Sequence, residues 1–341
     1  MTVGDQAMTT PAAGAQTAAA NRAPWIAAFA LVVIAAALPA FVGDYRLFQI
    51  AQTLVYAIAL LGLNLLTGYN GQISLGHGAF YAIGGYLAAI LMQSGIPYWA
   101  TLPVAGLLCL VVGFLFGLPA LRLQGLYLAL ATFALAVAFP QILKAKVFER
   151  WTGGVQGIIV DKPSAPAWLG LSDDQWLYYV TLFVCVVAFW LAANLIRGRI
   201  GLALIAIRDH PIAAGAMGIN LAIYKSLTFG ISAMFTGVAG ALGTILIQYI
   251  NPDSYGPFFS ITLLVGVVVG GLASIPGALL GAAFIQFVPN IADQLSKAVP
   301  GAIYGVFVLG FMYFMPTGMA GFLHAGWTRL TSSFAIQMRR G

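Results

Sequence analysis

The sequence predicts an all-α polytopic membrane protein of about ten transmembrane helices with discontinuous Gly-rich segments, and three observations predict it. Apolar residues make up 61% of the 341-residue chain against 7% charged, with a mean hydropathy of +0.94, which lies far outside the composition of globular proteins. Ten apolar segments hold no Asp, Glu, Lys or Arg: 25–42, 47–67, 78–93, 97–118, 125–143, 176–196, 227–250, 260–273, 277–291 and 301–316. Crossing about 30 Å of hydrocarbon takes about 20 such residues as a helix. Between the sixth and seventh segments lies one long polar island, residues 197–226, reading RGRIGLALIAIRDHPIAAGAMGINLAIYKS.

Taken in order, residues 1–21 are rich in Ala and Thr, show no periodicity, and are expected to be a disordered cytoplasmic tail. A transmembrane domain is expected over 22–321, followed by a cytoplasmic tail, 322–341. A cleaved signal peptide competes for residues 25–40, which end in Ala-Leu-Pro-Ala, but the long preceding tail and single flanking cation favour a retained span. With the N-terminus inside and the spans alternating, the inside segments carry nine Lys and Arg against two acids and the outside segments six against seven. That excess of cations inside is the expected bias for a multi-pass inner-membrane protein with both termini cytoplasmic. The basic balance therefore reports orientation, and a nucleic-acid partner is not needed to explain it.

Two places interrupt the long spans. Residues 68–78 read GYNGQISLGHG, and the runs 260–273 and 277–291 flank a hinge at Ala273, Ser274, Ile275, Pro276 and Gly277. Irregular backbone at membrane depth is tolerated where protein or a water-filled cavity satisfies its amides, and short Gly/Pro-broken segments point to a transport pathway. The uncharged hydrogen-bonding residues Asn70, Gln72, Ser74, His77 and Ser274 are the candidate pathway residues. Taken alone, His77 reads as a hydrogen-bonded packing residue in preference to a proton carrier. Gly76 and Gly78 read as turn glycines, whereas Gly237, Gly240 and Gly243, and Gly266, Gly270 and Gly271, read as close-packing positions. Residues 144–175 form the longest outside segment, and the sequence leaves open whether they dock a delivery protein or simply connect spans.

The island carries four cations and one acid. Within it, Ile212, Ala213, Ala216, Met217 and Ile219 share one face of a short helix, which Asp209 precedes and Pro211 opens as a first-turn residue. A helix this short is marginal by itself, so its apolar face is expected to rest on a partner. No phosphate-binding G-x-x-x-x-G-K-[ST] loop occurs, and there is no G-x-S-x-G, no H-E-x-x-H and no metal-ligand cluster. Cys109 and Cys185 lie in apolar spans as small hydrophobes. No enzyme, no cofactor and no metal are expected in this chain. The spans also lack the ionisable residues that gradient-coupled transporters place there. Two readings remain: a permease driven by ATP bound to separate subunits docked on the island, or a passive channel or facilitator for a small polar solute such as urea or an amide.

Five ordered stretches carry a resemblance: GYNGQISLGHGAFYAIGGYLAAIL (68–91), GLYLALATFALA (125–136), WTGGVQGI (151–158), AIRDHPIAAGAMGIN (206–220) and VVVGGLASIPGALLGAAF (267–284). They resemble the LivM-type permease subunits of branched-chain amino acid ABC importers. The resemblance implies a homologous second permease subunit, two ATP-binding subunits that bind the ATP, and a periplasmic solute-binding protein. It also implies an ATPase-coupling loop in which Arg208, Asp209, Ile212, Ala213, Ala216, Met217 and Gly218 take part. The chain departs from the family at His210 or Gly215, where an acid is usual, and at Met315, where the family's closing Pro-x-Gly segment carries an Arg. Because the family extends to urea, short amides and aromatic acids, the resemblance implies a small polar or amphipathic solute of that range.

Overall fold

The computed structural model describes residues 29–123, 125–295, 300–323 and 325. The tail 1–21, Arg22, residues 25–28 of the first expected span, Lys297, and Arg329, Arg339 and Arg340 of the C-terminal tail lie outside the described residues. Two compact units are distinguished, Met1–Gly43 and Asp44–Gly341. The first contributes a single apolar helix, α1 (Phe29–Ala40), which tightens into a 3₁₀ turn over Leu38–Ala40 where Pro39 removes a donor.

The second unit is helical almost throughout. Its elements are α2 (Asp44–Asn64), α3 (His77–Gln93), α4 (Tyr98–Ala120), α5 (Leu126–Leu143), the single turn α6 (Glu149–Thr152), α7 (Asp173–Arg197), α8 (Arg199–Asp209), α9 (Pro211–Ala216), α10 (Leu221–Ile247), α11 (Pro257–Gly270), α12 (Ile275–Leu295) and α13 (Pro300–Phe314). A two-residue antiparallel ladder joins β1 (Ile158–Ile159) to β2 (Tyr249–Ile250), pairing Ile158 with Ile250. The chain is thus an all-α polytopic membrane protein. Six helices among the described residues are long and apolar enough to cross a membrane, fewer than the ten expected segments. The shortfall has two causes: α1, α11 and α13 are shorter apolar helices, and the 17 residues of α3 rise only about 26 Å. One expectation is reversed, because the run 277–291 extends at both ends into α12, which at 21 residues is not a short segment.

α2 and α10 form the centre, and most of their surface is buried within the chain. α10 packs on α2, α3 and α4, while α12 and α7 pack on the other sides of α2. Small polar residues share this interior with apolar ones: α10 buries Ser226, Thr228, Ser232, Thr236 and Thr244 along with its glycines, Phe229, Phe235 and Leu242. In lipid the tails are as apolar as leucine, so helices associate through close packing and hydrogen bonds rather than exclusion from water. At the α3–α10 crossing a Cβ on Gly84 would collide with the Gly237 carbonyl, and one on Gly240 with the Tyr81 carbonyl. α4, α5, α7 and α13 instead turn large side chains outward, among them Leu107, Leu126, Phe183 and Val306, the surface expected where lipid or another subunit is the neighbour.

Polar structure gathers at the two ends of the helices. At one end lie the β1–β2 ladder, the ion pairs Lys144–Asp253 and Lys162–Asp174, and the bond from Trp176 Nε1 to Tyr98 OH at 2.9 Å. Segment 144–175 is structured there, and a capping box between Ser172 and Gln175 starts α7. At the other end lie Arg208, Lys225, residues 68–76 and the α11–α12 junction, which touch one another. Each of these contacts joins segments that alternating spans would put on the same side.

Candidate functional site

The irregular stretch begins inside a helix. α2 passes into a π-helical turn, Leu65–Tyr69, and closes with Gln72 N–H on the Leu66 carbonyl at 3.1 Å. Thr67 Oγ1 donates to the Gln72 carbonyl at 3.1 Å. Such π-turns carry one residue in surplus to the α-helical repeat and concentrate at functional sites. Gly68, expected to open the turn, is therefore still helical, and the non-helical segment runs from Asn70 to Gly76. Within it Gly71 has φ +72, the left-handed conformation that favours glycine.

The N-terminus of α3 leaves backbone donors without helical partners, and no side chain of its own N-cap, Gly76, supplies them. Side chains of other helices do. Thr132 of α5 accepts from Leu75 N–H at 2.9 Å, and Ser260 of α11 accepts from Gly78 N–H at 2.9 Å. His77 is fully buried between two serines, with Nδ1 2.9 Å from Ser74 Oγ and Nε2 2.6 Å from Ser232 Oγ. Since Ser232 Oγ donates to the Gly62 carbonyl at 2.6 Å, it accepts from the imidazole, which fixes Nε2 as the protonated nitrogen and Nδ1 as the acceptor of the Ser74 hydroxyl. Both ring nitrogens are thus committed to holding α2, α3 and α10 together.

The second interruption meets the first. Between α11 and α12 residues 271–274 leave the helix, and Ala273 takes a left-handed φ of +56, a strained setting for a residue with a Cβ. Asn64 holds it there: Oδ1 accepts from Ala273 N–H at 2.9 Å, and Nδ2 donates to the Ser274 carbonyl at 2.8 Å. A primary amide suits this place because it offers one donor and one acceptor to two adjacent backbone groups. Ser274 Oγ accepts from Gly277 N–H at 3.2 Å, so Ile275, Pro276 and Gly277 are the first turn of α12 and not part of the break.

Of the five candidate pathway residues, Gln72 donates from Nε2 to the Lys225 carbonyl at 3.4 Å, and Ser74, His77 and Ser274 are engaged as above. Asn70 differs: it is buried, and neither Oδ1 nor Nδ2 has a hydrogen-bond partner. A buried amide left unpaired costs about 1–3 kcal/mol. Sequence reasoning missed Asn64, Ser232, Thr132 and Ser260, which tie the two interruptions together. The signal was present in Asn64, a lone amide within Leu60-Leu61-Gly62-Leu63-Asn64-Leu65-Leu66.

As turn glycines, Gly76 and Gly78 are not required for their φ, although Gly76 stands in the close backbone approach that a turn glycine allows. Neither Gly76 nor Gly78 has a positive φ; a Cβ would lie 2.7 Å from the Thr132 carbonyl at Gly76 and 2.5 Å from Ser260 Oγ at Gly78. Gly240 faces a rigid backbone carbonyl at still closer range. Valine at Gly240 should therefore lower the yield of folded protein, measured by monodisperse elution in detergent, at least as much as valine at Gly78, where a serine hydroxyl can move aside.

The island contains two helices, the second of them the short helix its pattern predicts. α8 buries Gly201, Ala203, Leu204 and Ile207. Arg208, exposed at its end, donates from Nε to Asp209 Oδ1 at 2.9 Å and from Nη1 to the Gly68 carbonyl at 3.0 Å. α9 follows with Pro211 in its first turn and Ala214 as its buried contact. Ile212 is 88% exposed and Met217 85% exposed, and Ala213, Ala216 and Gly218 are exposed beside them. Two branched or flexible apolar side chains standing in the open on a six-residue helix are unpartnered within this chain. No group of His, Cys, Asp and Glu able to hold a metal occurs among the described residues.

Residues 45–316 match the family of branched-chain amino acid transport system permease components. The high-affinity branched-chain amino acid transport system permease protein LivM of Escherichia coli (strain K12) is 32% identical over 316 residues, covering 85% of this chain and 73% of that protein. BraD, a permease protein of the same kind in Pseudomonas aeruginosa, is 28% identical over 294 residues, covering 78% and 91%. LivH of Salmonella typhimurium is 26% identical over 287 residues, also covering 78% and 91%. No solved structure matches the chain. With the family matched along nearly the whole of the second unit, both interruptions and the island included, the chain belongs to the permease components of branched-chain amino acid transport systems, and within them to the LivM type.

Proposed function

We propose that this permease subunit forms half of the translocation pathway of an ATP-binding cassette importer for branched-chain amino acids or a related small polar or amphipathic solute. Its partners in that reading are a homologous second permease subunit, two ATP-binding subunits that bind and hydrolyse ATP, and a periplasmic solute-binding protein. The observation that carries it is the exposed apolar face of α9 at the Arg208 end of the helices, shaped to enter a groove of another protein. The substrate class rests on the relatives LivM, LivH and BraD, permease proteins of branched-chain amino acid transport systems.

The ion pairs, the β1–β2 ladder and the Arg208, Gln72 and Asn64 hydrogen bonds each join segments that alternating spans would put on the same side, and this supports spans that begin and end on opposite sides. It favours a cytoplasmic island, a periplasmic segment 144–175 and cytoplasmic termini in a bacterial inner membrane. The structured 144–175 segment, laced to β2 and Asp253, suits a docking surface for the solute-binding protein. Asn70 is the pathway residue with unused hydrogen-bonding capacity, so it is the one placed to meet a passing solute once the buried turn opens.

Reconstitution tests the reading. Alone in liposomes the chain should neither hydrolyse ATP nor pass leucine. Together with a LivH-type permease, two ATP-binding subunits and a branched-chain amino acid binding protein it should accumulate leucine only when ATP is supplied on the side of the ATP-binding subunits. Saturable leucine, urea or amide flux from the isolated chain would instead establish a passive facilitator.

A further inference from the structure

We propose that Arg208 is a positioning residue which transmits movement of the α8–α9 element to the break between α11 and α12, by way of the π-turn; this rests on the coupling role proposed for α9. Arg208 is exposed at the end of α8, yet it also reaches inward, its Nη1 bonding the carbonyl of Gly68, 140 residues away in sequence. Its stem crosses Gly71, where an added Cβ would stand 2.9 Å from Arg208 Cγ.

From Gly68 the contacts continue without slack. A Cβ on Gly68 would collide with both Asn64 Oδ1 and Ala273 N, and Asn64 itself grips Ala273 and Ser274 through its two hydrogen bonds. Thus α9, the end of α8, Arg208, the π-turn, Asn64 and the strained Ala273 form one contiguous series. The π-turn supplies the movable member, since its surplus residue allows helical register to be exchanged locally. Arginine fits because its planar fork bonds Asp209 and the Gly68 carbonyl at once, fixing its direction, whereas an ammonium is a point charge on a flexible stem. A tilt of α9 and α8 by the docked ATPase therefore pulls on the carbonyl of Gly68, a residue packed against Asn64 and Ala273.

The test uses the complete transporter in liposomes, with Arg208→Met, which keeps the stem over Gly71 and removes every donor, and Arg208→Lys, which keeps a cationic donor but not the planar fork. The quantities read are recovery of the ATP-binding subunits with the permease, ATP hydrolysis, and leucine taken up per ATP hydrolysed. In Arg208→Met uptake per ATP should fall about tenfold, a larger loss than that of ATP-binding subunit recovery or ATP hydrolysis, within the span expected for residues that couple two sites. Arg208→Lys should fall between the wild type and the Met variant. Equal uptake per ATP in the Met variant and the wild type, or equal loss in Met and Lys, overturns the proposal. Loss of the ATP-binding subunits from the Met variant also overturns it, by making Arg208 a docking residue. If the wild-type permease fails to hold the ATP-binding subunits, the coupling reading of α9 itself is wrong and this inference falls with it.

Discussion

Met217→Glu, or Ala213→Asp, should leave the protein inserted and bound to its second permease but abolish both co-purification of the ATP-binding subunits and solute uptake. Met217 and Ala213 contact nothing that folding of this chain requires: both side chains are exposed, and α9 is anchored by Ala214 on its other face. Ile219 N–H bonds the Ala214 carbonyl at 3.1 Å and closes the helix independently of Met217's side chain. A carboxylate at either site is harmless while it faces water. Docked in an apolar groove it becomes an unpaired buried charge, and breaking a contact in that way costs about 3–5 kcal/mol, more than two decades in affinity. Pull-down of tagged ATP-binding subunits from membranes measures it directly. Normal recovery and normal uptake in either variant would show that α9 is not the coupling element.

Asn64→Leu should strongly lower the stability of the folded state. Leucine is nearly isosteric and more apolar, so a simple count of hydrophobicity predicts stabilisation. The opposite is expected, since two part-buried backbone groups, Ala273 N–H and the Ser274 carbonyl, would lose their partners. Each group left unsatisfied costs about 1–3 kcal/mol in a protein interior. Ala273 would also lose what holds it at φ +56. Thermal unfolding in detergent should show the drop, and Asn64→Gln should recover little, because its extra methylene does not fit where Gly68 already abuts the amide oxygen. If Asn64→Leu unfolds at the wild-type temperature, the α11–α12 break does not depend on this amide.

Composition and patterning made the class legible. Uninterrupted apolar runs are required by the bilayer, where every backbone polar group must be satisfied within the chain, and that constraint writes itself into sequence without reference to neighbours. The island was equally readable: Pro211, the spacing of Ile212, Ala216 and Met217, and the surrounding cations placed a short amphipathic helix, and α9 is that helix. The absence of a phosphate-binding loop is likewise a property of order along the chain.

What the sequence could not decide is what touches what. Residues 68–78 and 271–274 were each visible as broken segments, yet nothing in either stretch says that they meet through Asn64, 210 residues from Ser274. His77 looked like one polar residue of a turn, and only the positions of Ser74 and Ser232 commit both its nitrogens. Arg208 read as one residue of a coupling loop, and only the fold brings the Gly68 carbonyl within reach of its guanidinium. Gly76, Gly78 and Gly240 carry the same letter for different reasons, distinguished by the atom opposite each missing Cβ. Sequence fixes the local periodicity and the polarity each segment must satisfy; pairing of donors with acceptors across helices depends on crossing distances of a few ångströms, which exist only in the folded chain.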